Sequence, residues 1–247
     1  MLLACTLACA TPPAPEPEEE PPPERLGDML AFFYRDGEIE RVEWMLREIS
    51  RTQMLAEPRA VSPVQGFFSQ LFSANPERVP AWADVIAALP VEDQRYLWVP
   101  VWFSDNPQAR NRMSERIRGQ PELAEILSPL LTRKPPALSG LRPVSSGDLD
   151  FLWGAFFASG EADYVRQISV VLAWDPDKLQ AGEDLAPMVL RRAVEWSLVV
   201  NARSHERVLE ICRRELVFAS GSRAVSLERI VAAASAERAD EGAAETE

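Results

Sequence analysis

The 247-residue chain contains one histidine, three cysteines and only eleven glycines. A lone histidine, His205, cannot form an H-x-x-x-H ligand pair and no C-x-x-C flanks it, so no metal site is expected. G-x-S-x-G, H-E-x-x-H, G-x-x-x-x-G-K-(S/T) and G-x-G-x-x-G are all missing. The sequence therefore predicts no catalytic residue and no cofactor. Basic residues are also scarce, with 26 lysines and arginines against 38 acids and a net charge of −12. Nucleic-acid binding, which needs a concentrated basic face, is not expected. Arg110, Arg112, Arg116 and Arg118 come nearest to one, but Glu115 lies among them and they read as a solvated helix face.

The N-terminus has a different character. The apolar run MLLACTLACA leads directly into TPPAPEPEEEPPPE, whose fourteen residues (11–24) include seven prolines and five glutamates. Such a segment has no large apolar surface to bury and is expected to stay unfolded. Proline keeps it extended at about 3 Å per residue, giving a spacer on the order of 40 Å. Leu2-Leu3-Ala4-Cys5 and Thr6-Leu7-Ala8-Cys9 each place a small residue directly before a cysteine. The layout resembles the signal and tether of an exported bacterial lipoprotein, which implies lipid attachment at Cys9 or Cys5. With no aspartate after either cysteine, the resemblance implies the outer membrane, or otherwise the periplasm. The basic start of a signal peptide is missing and the apolar part is short, as a start codon placed too far downstream would produce. Two other readings stand beside it: an A-x-A site at Ala8-Cys9-Ala10 releasing a soluble protein at Thr11, and an uncleaved cytosolic N-terminus.

Charge supports a four-part division. The glutamates of 11–24 and the acidic tail 235–247 carry most of the net charge and leave about −3 on residues 25–234. The expected parts are a signal segment 1–10, a tether 11–24, a helical domain 25–234 and a disordered tail 235–247. If Cys5 and Cys9 belong to the signal, Cys212 remains alone and no internal disulfide is available. Its setting, VLEICRREL, is that of a small buried hydrophobe.

Within the domain, apolar residues recur at spacings of three and four. Leu26, Met29, Leu30 and Phe33 form one stripe, and Ile39, Val42, Met45, Leu46 and Ile49 the next. Ser62-Pro63 reads as the start of a third helix. A fourth, Val79 to Leu89, stops before Pro90. A corner repeats between paired helices, where a bulky apolar pair is followed by a polar or small turn. The five copies are Phe32–Gly37, Leu71–Pro76, Trp102–Pro107, Phe156–Glu161 and, more weakly, Val199–Ser204. Phe33, Phe72, Phe103, Phe157 and Val200 are spaced by 39, 31, 54 and 43 residues. One helical hairpin cannot cover its own apolar face, so neighbours must stack. The expected fold is all-α, an irregular array of about five helical hairpins, α-solenoid-like or a helical bundle. Its lobes, 25–131 and 145–234, are joined by a proline-rich hinge at 132–144.

Leu152-Trp153-Gly154 with Phe156-Phe157 and Gly160, and Trp196-Ser197-Leu198 with Asn201-Ala202 and His205, are similar to recurring phrases in uncharacterised bacterial helical proteins. The resemblance covers about 70 residues and implies no activity. Gly154 is expected to admit a neighbouring helix closely. Asp148 with Asp150, and Glu161 with Asp163, sit at helix starts, where capping accounts for them. Asp175-Pro176-Asp177 lacks the rest of a calcium loop. Trp98 and Trp102 flank Pro100, whose kink could open an aromatic groove, although a helix break at Pro100 with both rings buried is the simpler expectation. With His205, they are the candidate partner-binding residues. The function expected is non-catalytic: a membrane-tethered domain binding a protein or peptide in the cell envelope. The alternatives are an envelope hydrolase with an unrecognised site and a soluble cytosolic helical protein.

Overall fold

The computed structural model describes residues 23–181 and 185–244, with side chains over 26–179 and 185–236. Cys5, Cys9 and the tether through residue 22 lie outside the described residues. Every regular element among the described residues is helical: α1 (Pro23–Asp36), α2 (Val42–Arg51), α3 (Pro58–Ala74), α4 (Val79–Ala88), α5 (Val91–Phe103), α6 (Pro107–Arg118), α7 (Pro121–Leu131), α8 (Ser146–Ser159), α9 (Ala162–Ser169), α10 (Pro176–Ala181), α11 (Ala186–Ser204), α12 (Glu206–Val217) and α13 (Gly221–Ala244). No described helix is long and apolar enough to cross a membrane.

All five corners fall between consecutive helices: α1 and α2, α3 and α4, α5 and α6, α8 and α9, α11 and α12. Their chemistry is local. Gly37 and Gly160 take positive φ, a conformation open to glycine, and Asn106 caps α6 by accepting the Ala109 amide at 3.0 Å. The helices joined at a corner are not always the ones that pack. α1 lies against α8, and α3 packs on both α8 and α5. Because α8 is far from α1 and α3 in sequence, the helical array is irregular, unlike a regular solenoid in which each repeat touches only its neighbours.

The core has two clusters. One is built from α1 to α7 around Phe67, Phe68, Phe72, Trp82 and Trp98, and the other from α8 to α13 around Leu152, Phe156, Ile168 and Leu198. Where they meet, α3 and α8 cross with their backbones in contact. A Cβ on Gly154 would sit 1.9 Å from the Pro63 carbonyl oxygen, and one on Gly66 would sit 1.9 Å from that of Phe151. The close approach expected at Gly154 is therefore present, and it needs a second glycine on the opposite helix. Polar links reinforce the crossing. The Tyr164 hydroxyl donates to Gln70, and Gln70 Nε2 donates to Glu161 at 3.0 Å.

Four local expectations are corrected. Pro63 does not start α3; the helix begins at Pro58 and continues through Pro63. Packing of α3 on α8 and α5 offsets the cost of an interior proline, about 3 kcal/mol. Likewise α5 runs unbroken through Pro100. The segment 132–144 is no free hinge, because the Arg133 carbonyl accepts from Trp102 and Arg110 while the Ser139 carbonyl accepts from Gln167. Finally, α13 extends to Ala244 through most of the expected tail.

Candidate functional site

The residues singled out from sequence go to the interior. Trp98 is 0% exposed and its indole donates to Gln94 Oε1 at 3.3 Å. Trp102 is 8% exposed, and its indole donates to the Arg133 carbonyl at 3.1 Å. His205, 3% exposed, is N-cap of α12, with Nδ1 3.2 Å from the Tyr34 hydroxyl. Its ring packs on Phe32 and Phe157 at centroid separations of 4.7 and 5.1 Å. These three residues order corners and helix contacts and offer no surface to a partner; Trp98 and Trp102 are buried, as the simpler expectation had it, and the alternative of an aromatic groove there is not what the structure has.

The other candidates resolve into structural roles. Ser145 and Asp148 form a reciprocal capping box at the start of α8. Burial pushes the Asp150 carboxyl above its ordinary range. Asp175 accepts the Asp177 amide at 3.0 Å at the start of α10. The arginines of α6 reach neighbouring helices: Arg110 the carbonyls of Leu131 and Arg133, Arg112 Asp84 at 3.0 Å, Arg116 Gln94 at 3.0 Å. Burial pushes the Cys212 thiol up to about 12, which removes it as a thiolate nucleophile. No group of acids, cysteines and histidine able to hold a metal ion occurs among the described residues.

Among the described residues Phe218, 79% exposed, and Trp196, 69% exposed, are the large aromatics left open to solvent, and of the two it is Trp196 that lines a cleft. α11 carries two apolar stripes. Leu190, Val194 and Leu198 are buried against the lobe, whereas Leu185, Val189 and Trp196 are exposed at spacings that keep them on one helical face. Arg191 and then Glu195 of α11 meet Ser226 and then Arg229 of α13, so the two helices run in the same direction, with a cleft of about 390 Å³ between them. Trp196, Val199 and Val200 line it from α11, and Ile230 and Ala233 from α13, with Arg203 and Arg229 at its edges.

A polar network fixes the register of the two helices. Glu195 accepts from Arg191 and Arg229, both at 3.1 Å, and from the Ser226 hydroxyl at 2.6 Å. Arg191, itself buried, also donates to Ser226 at 2.9 Å and to the Trp174 carbonyl at 3.1 Å. Two guanidinium groups thus share one carboxylate. Deeper in the lobe, burial would raise the Glu215 carboxyl, but hydrogen bonds from Arg166 and Arg223 outweigh it and hold the group below its ordinary value.

A smaller apolar pocket of about 220 Å³ lies beside the crossing of α3 and α8, lined by Leu30, Met54, Val64, Phe67 and Phe157. His205, Cys212 and Glu215 line neither cavity. The chain matches no protein-family model, no curated protein and no solved structure.

Sequence reasoning missed Trp196, Val189 and Arg229. The available signal was the second stripe, Leu185, Val189, Trp196 and Val200, one face away from the buried one. A helix with two apolar stripes wants two neighbours.

Proposed function

We propose that the protein is a non-catalytic, membrane-tethered binding protein of the cell envelope that recruits a protein or peptide at the cleft between α11 and α13. The observation that carries the binding role is the exposed Trp196 over an apolar floor, flanked by arginine. Tryptophan and arginine are the side chains most enriched among residues that dominate binding energy. Support for the tether comes from the sequence alone: an apolar segment holding Cys5 and Cys9, followed at once by a proline and glutamate spacer. The lipid would hold the domain near the membrane, the spacer would set its reach, and the cleft would engage the partner.

Each half has its own test. Cells fed a labelled fatty acid should incorporate it into the wild-type chain and lose it in one of Cys5→Ala and Cys9→Ala; no label in any form would remove the anchor. A photo-crosslinking amino acid at position 196 should give a discrete adduct in cells, and the same group at exposed position 122 on α7 should not. Adducts from both, or from neither, would remove the cleft as the binding site.

A further inference from the structure

We infer that the occupant of the α11 and α13 cleft is an acidic amphipathic helix of a partner protein, a reading that rests on the binding role proposed above. The shape decides the kind of element. Among the described residues there is no strand, so an extended peptide has no sheet edge to join. A polyproline segment needs several aromatic rings side by side, and this cleft has only Trp196. Two parallel helices with a shared apolar floor leave a groove that a further helix fills, ridge into groove. The stretch from Val189 to Arg203 spans roughly 20 Å at 1.5 Å per residue, enough for three to four turns of the incoming helix.

The charge decides its sign. Although the chain carries −12 overall, Arg192 on α11 and Arg229 on α13 are exposed beside the apolar stripe, with Arg203 at one end of the cleft. Among the described residues Glu195 is the single acid lining the cleft, and Arg191 and Arg229 already share it. Glutamates flanking the apolar face of an incoming helix would meet these guanidinium groups, whereas lysines would be repelled. A second copy docking by the same face would bring arginine against arginine. A flat bilayer would reach Trp196 and Val189 but not the half-buried Val199, Val200 and Ala233 on the floor between the helices.

The test uses the full chain and two labelled synthetic peptides of fourteen residues. One is a leucine and glutamate amphipathic helix, and its twin has lysine at every glutamate. In anisotropy titrations at low salt the acidic peptide should bind at least tenfold more tightly, and its affinity should fall as salt rises. Trp196→Ala should weaken it at least tenfold, and the double variant Arg192→Glu, Arg229→Glu should invert the preference. Far-UV circular dichroism checks that both variants remain folded. Absence of saturable binding, equal affinity for both peptides, or indifference to Trp196→Ala would overturn the inference. So would Trp196-dependent binding to vesicles of phosphatidylcholine with 30% phosphatidylglycerol without peptide binding, or a dimer lost on Trp196→Ala. A cellular adduct at position 196 with a segment that is not an acidic helix overturns this inference alone; no adduct there removes the cleft as well.

Discussion

The two lobes use the same helical corners to different ends. In the N-terminal lobe the aromatics turn inward: Phe72 stacks on Trp82 at 4.9 Å, and Trp98 is sealed from solvent. In the C-terminal lobe, Leu185, Val189, Trp196, Val217, Phe218 and Val225 are left exposed along and around α11 to α13. Isolated exposed apolar residues are common; Leu185, Val189 and Trp196 instead share one face of α11, and Trp196 lines the cleft proposed for recognition. The contrast teaches that one lobe is a finished core and the other presents an unfinished one. The crossing of α3 on α8 lets the first support the second, because the glycine contact leaves no slack between them.

The contrast can be broken most forcefully at the tryptophans. Trp98→Ala should cost about 3–5 kcal/mol by leaving a cavity in the sealed lobe, read as a lowered urea midpoint. Gly154→Ala should cost about 3 kcal/mol, since a methyl group there meets the Pro63 backbone and forces the lobes apart. Gly27→Ala is its control. It lies in α1 with nothing within 4 Å of the added carbon and should stabilise the chain by up to about 1 kcal/mol through helix propensity.

The Glu215 network gives a pH signature for the C-terminal lobe. Its folded carboxyl titrates below the ordinary value of 4.5, so its stabilisation is full above that value and disappears as pH falls through the folded one. Glu215→Gln should therefore be less stable than wild type at pH 6, with the gap in urea midpoint narrowing as pH is lowered below 4.5. The smallest effect is expected at Trp196→Ala, within about 0.5 kcal/mol, because the ring covers little that water does not already reach. A large loss there would mean that Trp196 belongs to the core after all.

Corners were legible in sequence because their chemistry is local: Gly37, Asn75-Pro76, Asn106-Pro107 and Gly160 each set a turn within a few residues. Gly154 was legible as a point of close approach, but its partner Gly66 was not, because nothing local pairs positions 88 apart. Pro63 and Pro100 look like breaks in sequence and lie inside helices, since long packed faces outweigh one lost backbone bond. Burial of Trp98 and Trp102 and exposure of Trp196 follow from which helices become neighbours. A tryptophan at helical spacing looks the same in either setting.

The most direct measurement is hydrogen–deuterium exchange of the full chain with and without a saturating acidic helical peptide. Slowed exchange confined to residues 189–203 and 225–233 is the predicted result. Slowed exchange in α1 to α7, or no change anywhere, would contradict the assignment of recognition to the unfinished face of the C-terminal lobe.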